Sequence, residues 1–301
     1  MKKVLVTGAA GFIGRQCLQQ LVERGFEVHG IFSSSSNCEI PNVQMHKLDL
    51  LEGQYVDELI KKVRPSHLLH LAWVTTPGIL WNSPDNHRWA EASLGLAHMF
   101  KDQGGQRAVF AGTCAEYDWS YGICSELNTP LNPTTLYGSC KKELFENLKM
   151  MDFSCAWGRV FHLYGPYEPQ KKLTASVILA LLRGENALCS YGNQERDFLH
   201  VQDVARAFVT LLECSLQGAV NIGSGSPVKL KSLCLKIGEK LGMSERLIFG
   251  AIPAPKDDPG LLVADVKRLY EELQWRPIWD LDTGLDQTIQ WWKEHLAQVE
   301  V

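Results

Sequence analysis

The chain has 301 residues, 45% of them hydrophobic and 21% charged, and a net charge of −4. That is a soluble composition, long enough for one large α/β domain or for one plus a smaller lobe. The missing basic excess argues against a nucleic-acid partner, and no apolar run is long enough to span a bilayer. Nine cysteines, an odd number with no CxxC and no zinc spacing, give no metal site and suit buried thiols in a reducing compartment. The apolar run near the N-terminus is broken by glycines too early for a secretory signal, so a cytoplasmic protein is expected.

In chain order, "KKVLVTG" reads as a buried strand and "FIGRQCLQQLVERG" as a helix stopped by Gly25. Between them stands Gly8-Ala9-Ala10-Gly11-Phe12-Ile13-Gly14. In a strand–turn–helix setting such glycines permit a tight turn, close approach to a pyrophosphate and helix-on-strand packing, with the first helical amides facing the phosphates. "FEVHGIF" is the second strand. At its end an acidic residue would bind ribose hydroxyls and repel a 2′-phosphate; here stand Phe32 and Ser33 instead. With Arg15 close by, NADP(H) is expected ahead of NAD(H). Asp49, after a third strand, is placed either at the adenine edge or in a turn.

Helices are expected over 53–63, 89–103 and 136–150, with strands in "SHLLHLAW", "RAVFAGT" and "CAWGRVFHLYG" between and after them. This alternation implies a mostly parallel, doubly wound sheet. Beyond "YGPYEP" the pattern changes. A helix over 173–183, a strand running into a helix in "RDFLHVQDVARAFVTLLE", a short strand in "GAVNIGSG" and a final amphipathic helix complete the chain.

The motifs "VTGAAGFIG", "LDL", "RPSHLLHLA", "AGTCAEY", "YGSCK", "GRVFHLYGP", "RDFLHVQDVA", "NIGSG" and "WRPIWDLDTGL" occur in that order. Together they resemble the extended short-chain dehydrogenase/reductase superfamily, of the nucleotide-sugar epimerase/dehydratase/reductase type. The resemblance implies a Rossmann-type sheet in residues 1–165 with about 197–223, and a smaller substrate-binding lobe in 166–196 and 224–301. It implies a cofactor site of Gly8, Gly11, Phe12, Ile13, Gly14, Arg15, Phe32, Ser33, Asp49, Leu50, Leu71 and Ala72, shared with Tyr137 and Lys141. Tyr137 and Lys141 share a helix face. By resemblance Tyr137 moves a proton to or from a sugar oxygen, Thr113 binds the same oxygen, and Lys141 lowers the phenol's pKa and holds the nicotinamide ribose. A homodimer through helices 90–103 and 136–150 is also implied.

Sugar dehydratases of the superfamily carry Asp and Glu directly after the threonine, where this chain has Cys114 and Ala115. Glu116 comes one step too late to face the same way, so water elimination is disfavoured. On the substrate side, Lys172, Leu173 and Arg196 match residues that grip a nucleotide diphosphate, although Arg196 has a structural alternative in pairing with Asp197 or Asp203. His162 replaces a usual asparagine. Trp73, Thr75 and Trp81 are candidates for a sugar pocket, with ordinary packing as the alternative. The leading expectation is an NAD(P)H-dependent reductase of a nucleoside-diphosphate 4-keto-6-deoxyhexose. The alternatives are a nucleotide-sugar epimerase with bound NAD and a non-catalytic NAD(P)-sensing protein.

Overall fold

The computed structural model describes residues 2–33, 40–74, 78–254 and 258–299. The first half alternates β1 (Lys3–Thr7), α1 (Gly14–Glu23), β2 (Glu27–Phe32), β3 (Val43–Lys47), α2 (Gly53–Val63), β4 (His67–His70), α3 (Asp85–Asp102) and β5 (Arg107–Thr113). After a short β6 (Ile123–Cys124) come α4 (Leu136–Met150), β7 (Ser154–Val160), β8 (His162–Tyr164), α5 (Leu173–Leu182), β9 (Ala187–Cys189), β10 (Glu195–His200), α6 (Val201–Glu213) and β11 (Gly218–Ile222). The remainder is β12 (Pro227–Lys229), α7 (Leu230–Leu241), β13 (Leu247–Phe249), β14 (Leu261–Ala264) and α8 (Leu281–Val299).

Seven strands form one sheet in the order β11-β7-β5-β4-β1-β2-β3, every pairing parallel. Its inner strands are apolar on both faces because helices cover both. The chain winds outward through β2 and β3, then returns to start β4 on the other side of β1. The order therefore reverses between β1 and β4, and a crevice opens beyond their carboxyl ends. The amphipathic helix α2 buries Val56, Ile60 and Val63. The helix expected over 89–103 starts four residues earlier, at Asp85 behind Pro84.

The stretch "CAWGRVFHLYG" is two strands rather than one. Phe161 is buried at the break, and its amide donates to the Ile222 carbonyl. The chain thereby passes from β7 in the main sheet to β8, which pairs with β10 in a second sheet ordered β12-β10-β14-β6. Helices α5, α7 and α8 bury Ile178, Leu233, Ile237, Leu285 and Trp292 in a core of their own. The helix α6 leaves β10 and packs on α1. No helix among the described residues is long and apolar enough to cross a membrane.

Candidate active site

The glycine loop fills the crevice at the end of β1. Gly8 has φ +65°, and a Cβ there would lie 2.9 Å from the Ala72 amide nitrogen; a Cβ on Gly14 would lie 2.1 Å from the Gly8 carbonyl. Side chains at either position would break the turn or push α1 off it. Leu71 and Ala72 are held by the Thr7 hydroxyl oxygen, which accepts both of their amides at 3.2 Å. With its lone pairs used, that hydroxyl donates to His70 Nδ1 at 2.8 Å. His70 Nε2 therefore carries the proton and donates to Ser93 Oγ at 2.8 Å, and Ser93 donates to the Trp89 carbonyl. Burial pushes His70 down to about 3, so it stays neutral in this relay.

Phe12 and half-buried Ile13 complete the loop, with Ile13 packed on the core. Arg15 is committed elsewhere than expected. Its Nε and Nη2 donate to the Ala10 carbonyl at 3.2 and 2.8 Å, and its guanidinium lies 3.9 Å from the Tyr167 ring centre. Tyr167 packs in turn, tilted by 50°, on Trp291 of α8, at 4.5 Å. Arg15 is thus held by neutral groups of the chain itself. Phe32 is half-buried and Ser33 exposed at the end of β2. Asp49 takes the turn role: its carboxylate accepts the Leu51 amide at 2.9 Å, and Leu50 is buried beside it. Ser33 and Asp49 line an open groove of about 900 Å³ along β3 and α2, with His46, Lys47, Tyr55 and Lys62.

Thr113 ends β5, and α4 begins opposite it. Thr135 caps α4 by accepting the Gly138 amide at 3.1 Å. A Cβ on Gly138 would lie 2.2 Å from the Ala115 carbonyl. Glycine there lets the first turn of α4 close on the turn after β5, bringing the Tyr137 phenol beside Thr113. Burial pushes the Tyr137 phenol above its ordinary value, and the Thr113 contact only partly offsets this. Lys141 is buried, donates to the Ala111 carbonyl at 2.8 Å and lies 3.7 Å from the Trp73 ring centre. Its pKa is lowered to about 7 by burial, against the opposing pull of Glu116. The expected depression of the phenol by Lys141 is thus not produced by the protein chain, because burial acts on both groups toward their neutral forms.

Glu116 is fully buried in a network of its own. It accepts the Thr113 amide at 2.8 Å, Trp157 Nε1 at 2.9 Å and Arg159 Nε at 2.7 Å. Arg159 Nη1 also donates to Tyr117 Oη at 3.0 Å, and Tyr117 donates to Asn221 Oδ1 at 2.8 Å. This network fixes the turn that carries Thr113, Cys114 and Ala115. The Cys114 thiol is pushed up to about 12, mainly by burial.

Two aromatic rings flank Tyr137, and a third braces one of them. Trp73 is buried, donates to Asn86 Oδ1 at 2.8 Å and meets Tyr137 edge-on at 6.2 Å. Trp81, 43% exposed, meets Tyr137 at 5.9 Å and Trp119 at 6.2 Å. Sequence reasoning missed Trp119 and Asn86, whose roles come from loop contacts with no periodic signal. Thr75 lies outside the described residues.

In the second lobe, Arg196 is 3% exposed and bonds Asp258 at 2.5 Å, not Asp197 or Asp203. Those two acids hold loops instead: Asp197 accepts the Ser224, Gly225 and Ala264 amides, and Asp203 those of Ile278 and Trp279. His162 faces Phe198, and burial foremost, then Arg196 and Lys172, pushes it down to about 3. Lys172 is exposed at the start of α5, while Leu173 is half-buried against the lobe's core. Glu168, unremarked in the sequence, is buried there and raised to about 8 by burial. Among the described residues no cluster could hold a metal ion.

A doubly wound sheet with a glycine loop at its switch point and a Thr–Tyr–Lys set beyond its carboxyl edge defines a dinucleotide-dependent short-chain dehydrogenase/reductase fold. The chain belongs to the NAD dependent epimerase/dehydratase family, which matches residues 4–223. It is 24% identical to a UDP-glucuronate 4-epimerase from Thermodesulfobacterium geofontis, over 98% of each chain. Its structure superposes on Thermus thermophilus UDP-glucose 4-epimerase in complex with NAD with a TM-score of 0.87 at 23% identity, covering 97% of this chain and 99% of that one. It also superposes on MoeE5, solved with UDP-glucose and NAD, with a TM-score of 0.81 at 28% identity, covering 98% and 99%.

Proposed function

We propose that the protein is a nucleotide-sugar epimerase that works through a transient ketone at C4 and keeps NAD in its site. The observation that carries this reading is the contact of Tyr137 with Thr113 across the gap that Gly138 leaves, beside buried Lys141. A nicotinamide dinucleotide fits the chain: the glycine loop has no room for Cβ atoms, and it opens α1 at the switch point. When bound, that group supplies the hydride acceptor and donor. Tyr137 takes the proton of the sugar hydroxyl as the ketone forms and returns one as it is reduced, and Thr113 orients the oxygen. Lys141 binds the ribose and, when protonated, favours the phenolate.

Arg15's engagement with Ala10 and Tyr167 supports NAD over NADP. The loss of acid at Cys114 and Ala115, with Glu116 tied to Arg159, speaks against water elimination. A second reading, an NADPH-dependent reductase of a 4-keto-6-deoxyhexose, is supported by the end of β2, where Phe32 and Ser33 offer no carboxylate to repel a 2′-phosphate. In both readings Lys172 and Arg196 serve the substrate diphosphate, and dimerisation through α3 and α4 belongs to the same proposal. The test is turnover of purified protein on a nucleotide-sugar panel without added cofactor. An epimerase interconverts its sugars and releases NAD on denaturation. Stoichiometric NADPH consumption supports the reductase, and a product lighter by one water overturns the exclusion of dehydration.

A further inference from the structure

The side of Tyr137 that meets solvent is aromatic. On its inner side Trp73 is buried and covered by Lys141; on its outer side stands Trp81, 43% exposed, at 5.9 Å. Trp81 is braced at 89° by Trp119, and Trp119 is pinned by donating its indole proton to the Cys114 carbonyl at 2.9 Å. A sugar hydroxyl that reaches the Tyr137 phenol from solvent brings its ring against Trp81. Toward that ring Trp81 presents an indole, and the Trp119 behind it spends its own donor on the Cys114 carbonyl. Such a wall favours C–H faces and methyl groups. It strips water from a carboxylate without supplying a cation in return.

C6 of a hexose is borne by the carbon next to C4, so it travels with the reacting hydroxyl. We infer that Trp81, held by Trp119, is a specificity-determining residue that selects nucleotide-linked sugars with a methyl at C6 and rejects those with a carboxylate there. This rests on the preceding reading of Tyr137 as the group that meets the sugar hydroxyl.

The test uses matched UDP- and dTDP-linked 6-deoxyglucose, glucose and glucuronate. Binding is read by calorimetry on the NAD-loaded protein and turnover by product analysis, for wild type, Trp81→Ala and Trp81→Phe. Wild type is expected to bind the 6-deoxy sugar at least roughly tenfold tighter than the uronate. Trp81→Ala should shrink that ratio several-fold with NAD affinity and melting temperature unchanged, and Trp81→Phe should keep most of it. A wild-type preference for the uronate, or a ratio untouched in Trp81→Ala, overturns the inference and leaves the epimerase reading standing. If NAD binds and no member of either series binds or turns over, the reading of the site falls and the inference with it.

Discussion

Tyr137 is half-buried, beside Thr113 and flanked by two indoles, and the chain by itself holds its proton on. Tyr137→Phe keeps the ring and its packing, so NAD binding and melting temperature should be unchanged while kcat falls about 10²–10⁴-fold; calorimetry and steady-state assays check this. Lys141, lowered to about 7 by burial, is charged in the folded protein only below that pH and in the unfolded chain up to its ordinary 10.5. It therefore weakens the fold below about 7, and that cost fades as pH rises to 10.5. Lys141→Met should flatten the dependence of the urea midpoint on pH across this window while weakening cofactor binding. Thr113, Tyr137 and Lys141 were legible in the sequence because one helical turn joins two of them and the resemblance supplies the third. The contact of Arg15 with Tyr167 was hidden because the ring lies far along the chain, and the pairing of Arg196 with Asp258 because three strands intervene.

At the scale of elements, the site exists because α4 starts against the turn after β5. Gly138→Ala would force a Cβ against the Ala115 carbonyl and lift Tyr137 from Thr113. A displacement near an ångström costs about 10²-fold in rate, so kcat should drop by that order in a protein that still folds, as circular dichroism would show. Glu116→Gln acts differently, leaving Arg159 buried beside a neutral partner. It should cost about 3 kcal/mol in urea unfolding while the folded fraction keeps its kcat; a selective loss of kcat would mean that Glu116 takes part in the chemistry. The helices α2 and α4 were legible to the residue, since apolar spacing and the Thr135 cap are local signals. β6, β9, β12, β13 and β14 were not, being two to four residues long and defined only by distant partners. The change of sheet at Phe161 was hidden because both strands read as one apolar run.

Across the whole molecule, buried histidines set the acid limit. Burial pushes His67 and His200 down to about 4, and His70 and His162 to about 3, from an ordinary 6.5. Below 6.5 the unfolded chain takes up protons that the folded protein refuses, so stability should fall as pH drops from 6.5 toward 3. Glu168, raised to about 8, works the other way: its contribution is complete below 4.5 and is lost as pH rises through 8. Urea midpoints should therefore rise as pH climbs from 3 to about 6.5 and change little above it, where the loss from Glu168 is set against the gain from Lys141. The stack that runs from Arg15 through Tyr167 to Trp291 and His295 adds a constraint of another kind. It makes the two lobes poor interchangeable parts. A chimera that grafts a relative's C-terminal half onto this glycine loop would strand Arg15 without its ring, and one that grafts this half onto a foreign loop would strand Tyr167 in its left-handed φ of 69°. Any exchange that keeps function has to move Arg15 and Tyr167 together.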